Sequence, residues 1–483
     1  MIFFNSAYND LNAFNLKRVL RLVLIVFAMS LMTSYCPQNK SYAADQTADS
    51  HFGYLGNYYG LVGDEDAQVF WYYALTNLPY FEPFTEVGFK YDRPHPGPFV
   101  WGLIEHQKGM YDFSITDDYV RQAQAHGLQV LPTIWPYAVW DQANYDISMC
   151  LGSRWEADLP LSRCKPYDMD AYINFVKALV ERYGTRGANS MPGLVTPIKH
   201  WEVLNEPETS YQTTQPGITP MVFFRGSQDD YYEVLTSTSD AIKSIDPEAQ
   251  VLNGGATSLA AAYFYWEILF GYGLPNVDIG NYHYDPNYDD GMDADSSTWY
   301  NFFNTYGKNP PWLTEYRVFN IQVSDISPCG TPFVEDDSCQ AQRLVKSYLK
   351  IFNNGTDKIF YTYYMMQNQG LVALDGTKRP AFYAMRLLIQ KIDYFTSVTT
   401  VPPHDNVYYF AYKFTVQGKP VYVIWSSADN STISLSLDNA SVTSVKITNS
   451  VPYSDSLQEQ YVSVSNSTAT FSVSTIPVYV EMF

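Results

Sequence analysis

The sequence predicts an α/β chain, a (β/α)8 TIM barrel followed by a small C-terminal all-β sandwich, and three observations predict it. From about residue 50 to 395, short β-rich apolar runs alternate with amphipathic helical stretches, and such alternation builds a parallel sheet. The runs come as eight strand–helix pairs, enough to close a barrel. After Pro402-Pro403 the helical period stops and runs rich in Ser, Thr and Val take over. An open doubly wound sheet is the competing arrangement. It is disfavoured because no GxGxxG or GxxxxGK[ST] turn follows any strand.

Barrel strands are expected at His51–Leu55, Gly88–Arg93, Leu128–Ile134, Ile198–Asn205, Gln250–Gly255, Ile279–Tyr284, Pro311–Tyr316 and Lys358–Tyr364. Between them, Ile173, Val176, Val180 and Tyr183 recur at helical spacing, with Asp168 as N-cap and Gly184 just past the end. Val345, Tyr348 and Phe352 repeat the pattern, as do Met385, Leu388 and Ile392. Thr116 is expected to cap a helix that Gly127 terminates. In the all-β module, Val407–Val416 and Val421–Trp425 flank Gln417-Gly418-Lys419-Pro420, which reads as a hairpin. Ser431–Leu437, Val442–Thr448, Val462–Ser465, Thr470–Val473 and Val478–Met482 complete it. The domains are therefore 1–43 as a signal peptide, 44–395 as the barrel and 396–483 as the sandwich. Packing against the barrel is the expected role of the last, ahead of carbohydrate binding.

The first segment reads as a signal for export. Lys17, Arg18 and Arg21 precede the apolar run Leu22–Met32, and Ser41-Tyr42-Ala43 offers small residues for cleavage. The run is too short for a bilayer, which needs about 20 residues. A secreted or periplasmic protein with no membrane insertion of the mature chain is expected. Bulky Tyr35 before Cys36 speaks against a lipoprotein site. The remaining cysteines are Cys150, Cys164, Cys329 and Cys339. Four cysteines allow three connectivities, and sequence proximity in an oxidising compartment favours Cys150–Cys164 and Cys329–Cys339.

Charge narrows the partners. Thirty Lys and Arg against 50 Asp and Glu give a net charge of −20, which disfavours nucleic acid and anionic membranes. Aromatic residues reach 17%. Core packing accounts for such a content, and so does handling of a ligand with flat apolar faces, such as a sugar.

Barrel active sites lie at the C-terminal ends of the strands. The fourth strand ends in Trp201-Glu202-Val203-Leu204-Asn205-Glu206-Pro207, and the seventh in Trp312-Leu313-Thr314-Glu315-Tyr316. The sixth ends in Asn281-Tyr282-His283-Tyr284-Asp285 and the second in Asp92-Arg93-Pro94. Glu206 and Glu315 at one rim are the equipment of glycoside hydrolysis: one carboxyl attacks the anomeric carbon, the other protonates the leaving oxygen. Arg93 would hold Glu315 ionised, and Asn205 would donate to the sugar 2-hydroxyl. His283 and Tyr284 join the substrate-binding set, and Trp135 and Trp140, after the third strand, are candidates for stacking on a sugar. Glu202 and Glu105 read as structural. The acidic run Asp289, Asp290, Asp293 and Asp295 reads as a solvated loop rather than a calcium site. No HxH, HExxH or GxSxG is present, so no metal and no cofactor is expected.

At this point the chain resembles the clan A glycoside hydrolases, of the family 39, family 30 and family 5 types. The resemblance spans the barrel. Phe99-Val100-Trp101-Gly102, Ile104-Glu105-His106 and Lys108-Gly109-Met110-Tyr111-Asp112-Phe113 are similar to a segment of several clan families, and Asp118 and Val120 continue it. Asn205-Glu206-Pro207 resembles the acid/base motif, Glu315 the nucleophile, and Gly370-Leu371 with Lys378, Pro380 and Ala381 the segment after the eighth strand. Two features depart from the pattern. The eighth strand offers Phe360-Tyr361-Thr362-Tyr363-Tyr364 where many members have Trp, and His283 is followed directly by Tyr284 rather than by x-Tyr. The resemblance implies a retaining enzyme with Glu206 as acid/base and Glu315 as nucleophile. A non-catalytic polysaccharide-binding protein on the same scaffold is the alternative. It normally lacks one carboxylate, and both are present here.

Overall fold

The computed structural model describes residues 49–57, 81–152, 159–211, 222–257, 259–284, 292–319, 336–362, 370–403, 409–439 and 441–483. The expected signal segment, Cys36, Cys329, Asp285, Asp289, Asp290, Tyr363 and Tyr364 lie outside the described residues, as do the side chains of Asp293 and Asp295.

The barrel strands are β1 (Phe52–Asn57), β2 (Tyr91–His95), β3 (Gln129–Val130), β4 (Thr133–Ile134), β5 (His200–Val203), β6 (Gln250–Asn253), β7 (Asn281–Tyr284), β8 (Trp312–Tyr316) and β9 (Lys358–Thr362). All pair in parallel, in the order β3-β2-β1-β9-β8-β7 and β4-β5-β6. The third barrel strand is broken into β3 and β4 at Pro132, which has no N–H for the ladder. Its carbonyl still accepts from Glu202 N at 3.0 Å. Parallel bridges Leu252–Ile279 and Ala256–Tyr282 join β6 to β7 and close the ring.

Among the described residues, apart from single-turn helices in the loops, eight helices alternate with these strands: α1 (Glu82–Val87), α2 (Ser114–Ala125), α3 (Met169–Tyr183), α4 (Gln228–Ile245), α5 (Leu259–Gly271), α6 (Met292–Thr305), α7 (Asp337–Asn353) and α8 (Pro380–Ile392). Asp168 caps α3 by accepting from Ala171 N, and the helix buries Val176, Val180 and Tyr183 as its spacing predicts. The cap expected of Thr116 is not formed. Helix α2 starts two residues earlier, at Ser114, whose N–H is held by Asp112 Oδ1 at 2.9 Å, and Thr116 is buried within its first turn.

Strand alternation sorts the barrel interior into layers, because residues two apart share a face. Tyr91, Leu131, Leu252, Trp312 and Phe360 form a buried apolar layer. Two residues further along four of those strand segments stand Arg93, Thr133, Thr314 and Thr362, all fully buried or nearly so. Glu202, in register with Thr133, and Asn281 join this polar layer. Gly53 makes room below: a Cβ there would lie 2.5 Å from the Phe360 ring.

The C-terminal sandwich is one antiparallel sheet of eight strands, in the order β10-β11-β12-β17-β14-β15-β16-β13, curled over its own core. Its members are β10 (Phe395–Thr400), β11 (Tyr409–Val416), β12 (Lys419–Ser426), β13 (Ser431–Ser436), β14 (Ser444–Asn449), β15 (Glu459–Ser465), β16 (Thr468–Val473) and β17 (Val478–Met482). The β11–β12 hairpin turns on Gln417 and Gly418 alone, at φ 50° and 74°, the two left-handed residues of a tight hairpin. Strand β10 has no turn signal before it and was not expected from the sequence. Its Phe395 stacks on His51 at 3.9 Å and accepts from the ring through its carbonyl at 2.9 Å. With Lys391–Glu481 at 2.5 Å, this fastens the sandwich to the barrel.

Cys150 and Cys164 form a disulfide with Cα atoms 5.0 Å apart, and Cys339 is also disulfide-bonded. Peptide mapping of the unreduced protein should recover Cys150 and Cys164 in one linked pair. Free thiols at both positions would contradict the pairing. The bond closes a loop of separation 14, so breaking it should cost about 3 kcal/mol.

Candidate active site

Arg93, at 0% exposure, is the hub of the polar layer. Its Nε and Nη2 donate to the two oxygens of Glu202 at 2.7 and 3.0 Å, its Nη1 to Glu315 at 2.9 Å, and its Nη2 also to Asn205 Oδ1 at 2.6 Å. Burial works against the charge, but Glu202 and Glu315 outweigh it and raise the guanidinium pKa. Glu202 accepts further from Thr133 Oγ1 and from Asn281 Nδ2, the latter at 2.6 Å. A charged residue among the buried residues Trp201–Val203 of a strand demands such partners. That demand is the sequence signal by which Glu202 could have been recognised as an organiser of the site.

Adjacent residues on a strand point to opposite faces, yet Asn205 and Glu206 both reach this cluster. Strand β5 ends at Val203, and Leu204 and Glu206 then take φ of 65° and 42°. These left-handed conformations are costly for side-chain-bearing residues and turn both side chains inward. The Glu206 carbonyl receives Thr209 N at 3.1 Å and Thr209 Oγ1 at 2.9 Å, opening the 3-10 turn Pro207–Tyr211. Strand β8 solves the same problem with a bulge. The register slips between Leu313 and Tyr316 against β9, and His283 pairs with Glu315 instead of Thr314. Thr314 and Glu315 thereby both serve the interior.

At the mouth, one oxygen of Glu206, one of Glu315 and one ring nitrogen of His283 lie within 4.8 Å of one another. His283 Nδ1 is 2.7 Å from Glu206 Oε1 and 3.7 Å from Glu315 Oε1, and His283 Nε2 is 2.9 Å from Thr314 Oγ1. Burial, with Arg93 and Arg317 adding to it, drives the His283 pKa well below its ordinary value, so the ring is neutral. His95, also buried and neutral, is pushed down to about 3, burial being the main cause. The Glu206, His283 and Glu315 trio is close enough to hold a metal ion. The Arg93 guanidinium already occupies the Glu315 oxygen at 2.9 Å, and a fixed cation there opposes a second one.

The structure thus brings together Glu206, Glu315, Asn205, Arg93 and His283. Tyr284 stands at the end of β7 with its ring parallel to Tyr316 at 6.4 Å. Trp135 corrects the expectation of stacking: it is 0% exposed, its Nε1 donates to Pro96 O at 2.7 Å, and no ring face is left for a sugar. Trp140 is partly exposed, edge-on to Trp101 at 5.1 Å, with Nε1 on Glu105 O at 2.7 Å. Its packing is that of a wall residue. Asn281 and Thr314 were missed from the sequence, because nothing in a lone Asn or Thr at a strand end marks it as part of a site.

Gly255 is needed where it stands. A Cβ there would fall 1.9 Å from His283 Nε2. Gly255→Ala should cost about 1–3 kcal/mol by overpacking, seen as a lowered unfolding midpoint. An unchanged midpoint would contradict this tight approach.

No protein-family model matches the chain, and no curated protein sequence matches it. Solved structures do. A family 39 glycoside hydrolase from the gut symbiont Bacteroides cellulosilyticus WH2 superposes with TM-score 0.56 at 16% identity, over 90% of this chain and 81% of that one. A family 30 endoxylanase from Clostridium papyrosolvens C71 gives 0.58 at 15% identity, over 92% and 98%. A family 39 β-xylosidase from Caulobacter crescentus gives 0.57 at 15% identity, over 92% and 98%. The fold is therefore the barrel-plus-β-module fold of family 39 and family 30 glycoside hydrolases.

Proposed function

We propose that this protein is an exported retaining glycoside hydrolase acting on β-linked oligo- or polysaccharides. One observation carries the reading: oxygens of Glu206 and Glu315 lie within 4.8 Å of each other, in different environments. Retaining enzymes hold their carboxyls about 5–5.5 Å apart and inverting ones about 6.5–9.5 Å. Glu315 accepts from the Arg93 guanidinium at 2.9 Å, while Glu206 contacts a neutral imidazole at 2.7 Å. Two carboxyls in contrasting surroundings are suited to opposite roles.

In the first step a Glu315 oxygen attacks the anomeric carbon. The glycosidic C–O bond breaks, and the Glu206 proton goes to the departing oxygen. In the second, Glu206 takes a proton from water as the water oxygen displaces Glu315. Asn205 supports the first step. Its Oδ1 is engaged by Arg93, and its buried Nδ2 has no partner among the described residues, an unmet donor that a sugar hydroxyl would satisfy once substrate enters.

The test is incubation of the purified protein with aryl β-glycosides and plant or microbial polysaccharides, β-xylosides first because of the neighbours' specificities, with the first-formed anomer read by NMR. Release of the β-anomer is expected. The α-anomer first would overturn retention, and sugar binding without release would favour the non-catalytic reading.

A further inference from the structure

The hydrogen-bond donors and acceptors beneath the site can be counted from one end to the other. Glu202, paired with Arg93, accepts from Asn281 at 2.6 Å. The Asn281 amide is fixed in this orientation, since its Nδ2 also faces the Asn253 carbonyl at 3.1 Å. Its Oδ1 must then accept, and the donor is Thr314 Oγ1 at 2.8 Å; the other acceptor within reach of that hydroxyl, Glu202 Oε1 at 3.5 Å, would equally draw its hydrogen away from His283. A hydroxyl has one hydrogen, so Thr314 has none left for His283. It can only accept from His283 Nε2–H at 2.9 Å. A neutral imidazole carries one N–H, which leaves Nδ1 as a bare acceptor, 2.7 Å from Glu206 Oε1. A carboxylate there would set two lone pairs against each other. A carboxylic acid makes a hydrogen bond.

We infer that the Asn281–Thr314 relay holds His283 as its Nε2–H tautomer, and that this tautomer keeps Glu206 protonated in the resting protein. The inference rests on the proposed role of Glu206 and gives that role a structural origin. His283, Thr314 and Asn281 are positioning residues, acting through Glu206. The other charged or titratable groups around the trio agree. Glu315 and Glu202 are both paired with Arg93, His95 is held neutral by burial, and Arg317 beyond β8 reinforces neutrality at His283. Glu208, two residues past Glu206, turns to the Thr257 N–H and hydroxyl at 2.6 and 2.9 Å.

Two measurements on the full chain test this. The first uses ¹⁵N-histidine-labelled protein, with the His283 signals identified by their loss in His283→Gln. At neutral pH the shifts should show Nε2 protonated and Nδ1 bare. An Nδ1–H tautomer or an imidazolium would overturn the inference, and this readout stands even if no glycoside is cleaved. The second is the pH dependence of kcat/KM. Its alkaline limb reports loss of the essential acid proton in the free enzyme. Thr314→Val frees the His283 proton to move to Nδ1 and donate to a Glu206 carboxylate. That favours the charged form, so the alkaline limb should fall by about one pH unit, while Thr314→Ser keeps it in place. An alkaline limb unmoved in Thr314→Val would overturn the relay. Absence of turnover in the unsubstituted enzyme would instead count against the proposed function.

Discussion

Glu315→Ala should abolish turnover of every glycoside, by on the order of 10⁴-fold or more, and azide should restore a product of inverted configuration. The variant should stay folded. Glu315 is the exposed end of the Arg93 network, with 21% of its side chain accessible. Without it, Arg93 keeps both oxygens of Glu202 and the Asn205 carbonyl, so no buried charge is stranded. What is lost is the nucleophile, and azide fits the vacated space and attacks the anomeric carbon itself. One displacement in place of two inverts the centre. Full activity of Glu315→Ala on an unactivated glycoside would remove Glu315 from the mechanism.

The barrel was legible because its signals are local. Strand candidates such as Gln250–Gly255 and Pro311–Tyr316 overlap β6 and β8 closely. Cap and apolar spacing of α3 could be read from Asp168, Val176, Val180 and Tyr183. Glu206 and Glu315 stood out because carboxylates at strand ends are rare enough to count. The rest depends on contacts between strands far apart in sequence. Trp135 looked like a sugar platform, and its burial is decided by Pro96 and the surrounding aromatic residues. Glu202 looked merely structural. Its role as anchor for Arg93 and Asn281 exists only once β2, β5 and β7 are brought around one axis. Thr314 carried no signal at all, since the bulge that admits both it and Glu315 is a property of the pairing with β7 and β9.

Glu206→Ala should discriminate among substrates rather than silence them all. General acid catalysis contributes about 10²–10⁴-fold, and only where the leaving oxygen needs a proton. Alkyl glycosides and oligosaccharides should lose that much. Aryl glycosides with acidic phenols leave unaided, so the glycosyl-enzyme should still form on Glu315 and then accumulate, because no base remains to activate water. Azide needs no base. It should speed the second step and give a product of retained configuration, the opposite stereochemistry to Glu315→Ala. The geometry makes the contrast sharp, because the two carboxyls answer to different neighbours. Glu315 keeps Arg93 at 2.9 Å whether or not Glu206 is present, so the nucleophile stays in position in the variant. His283 loses its contact with Glu206 but stays tied to Thr314 through Nε2, so the pocket wall should hold its position. Equal losses on activated and unactivated substrates would show that Glu206 serves the fold or the binding of sugar rather than proton transfer.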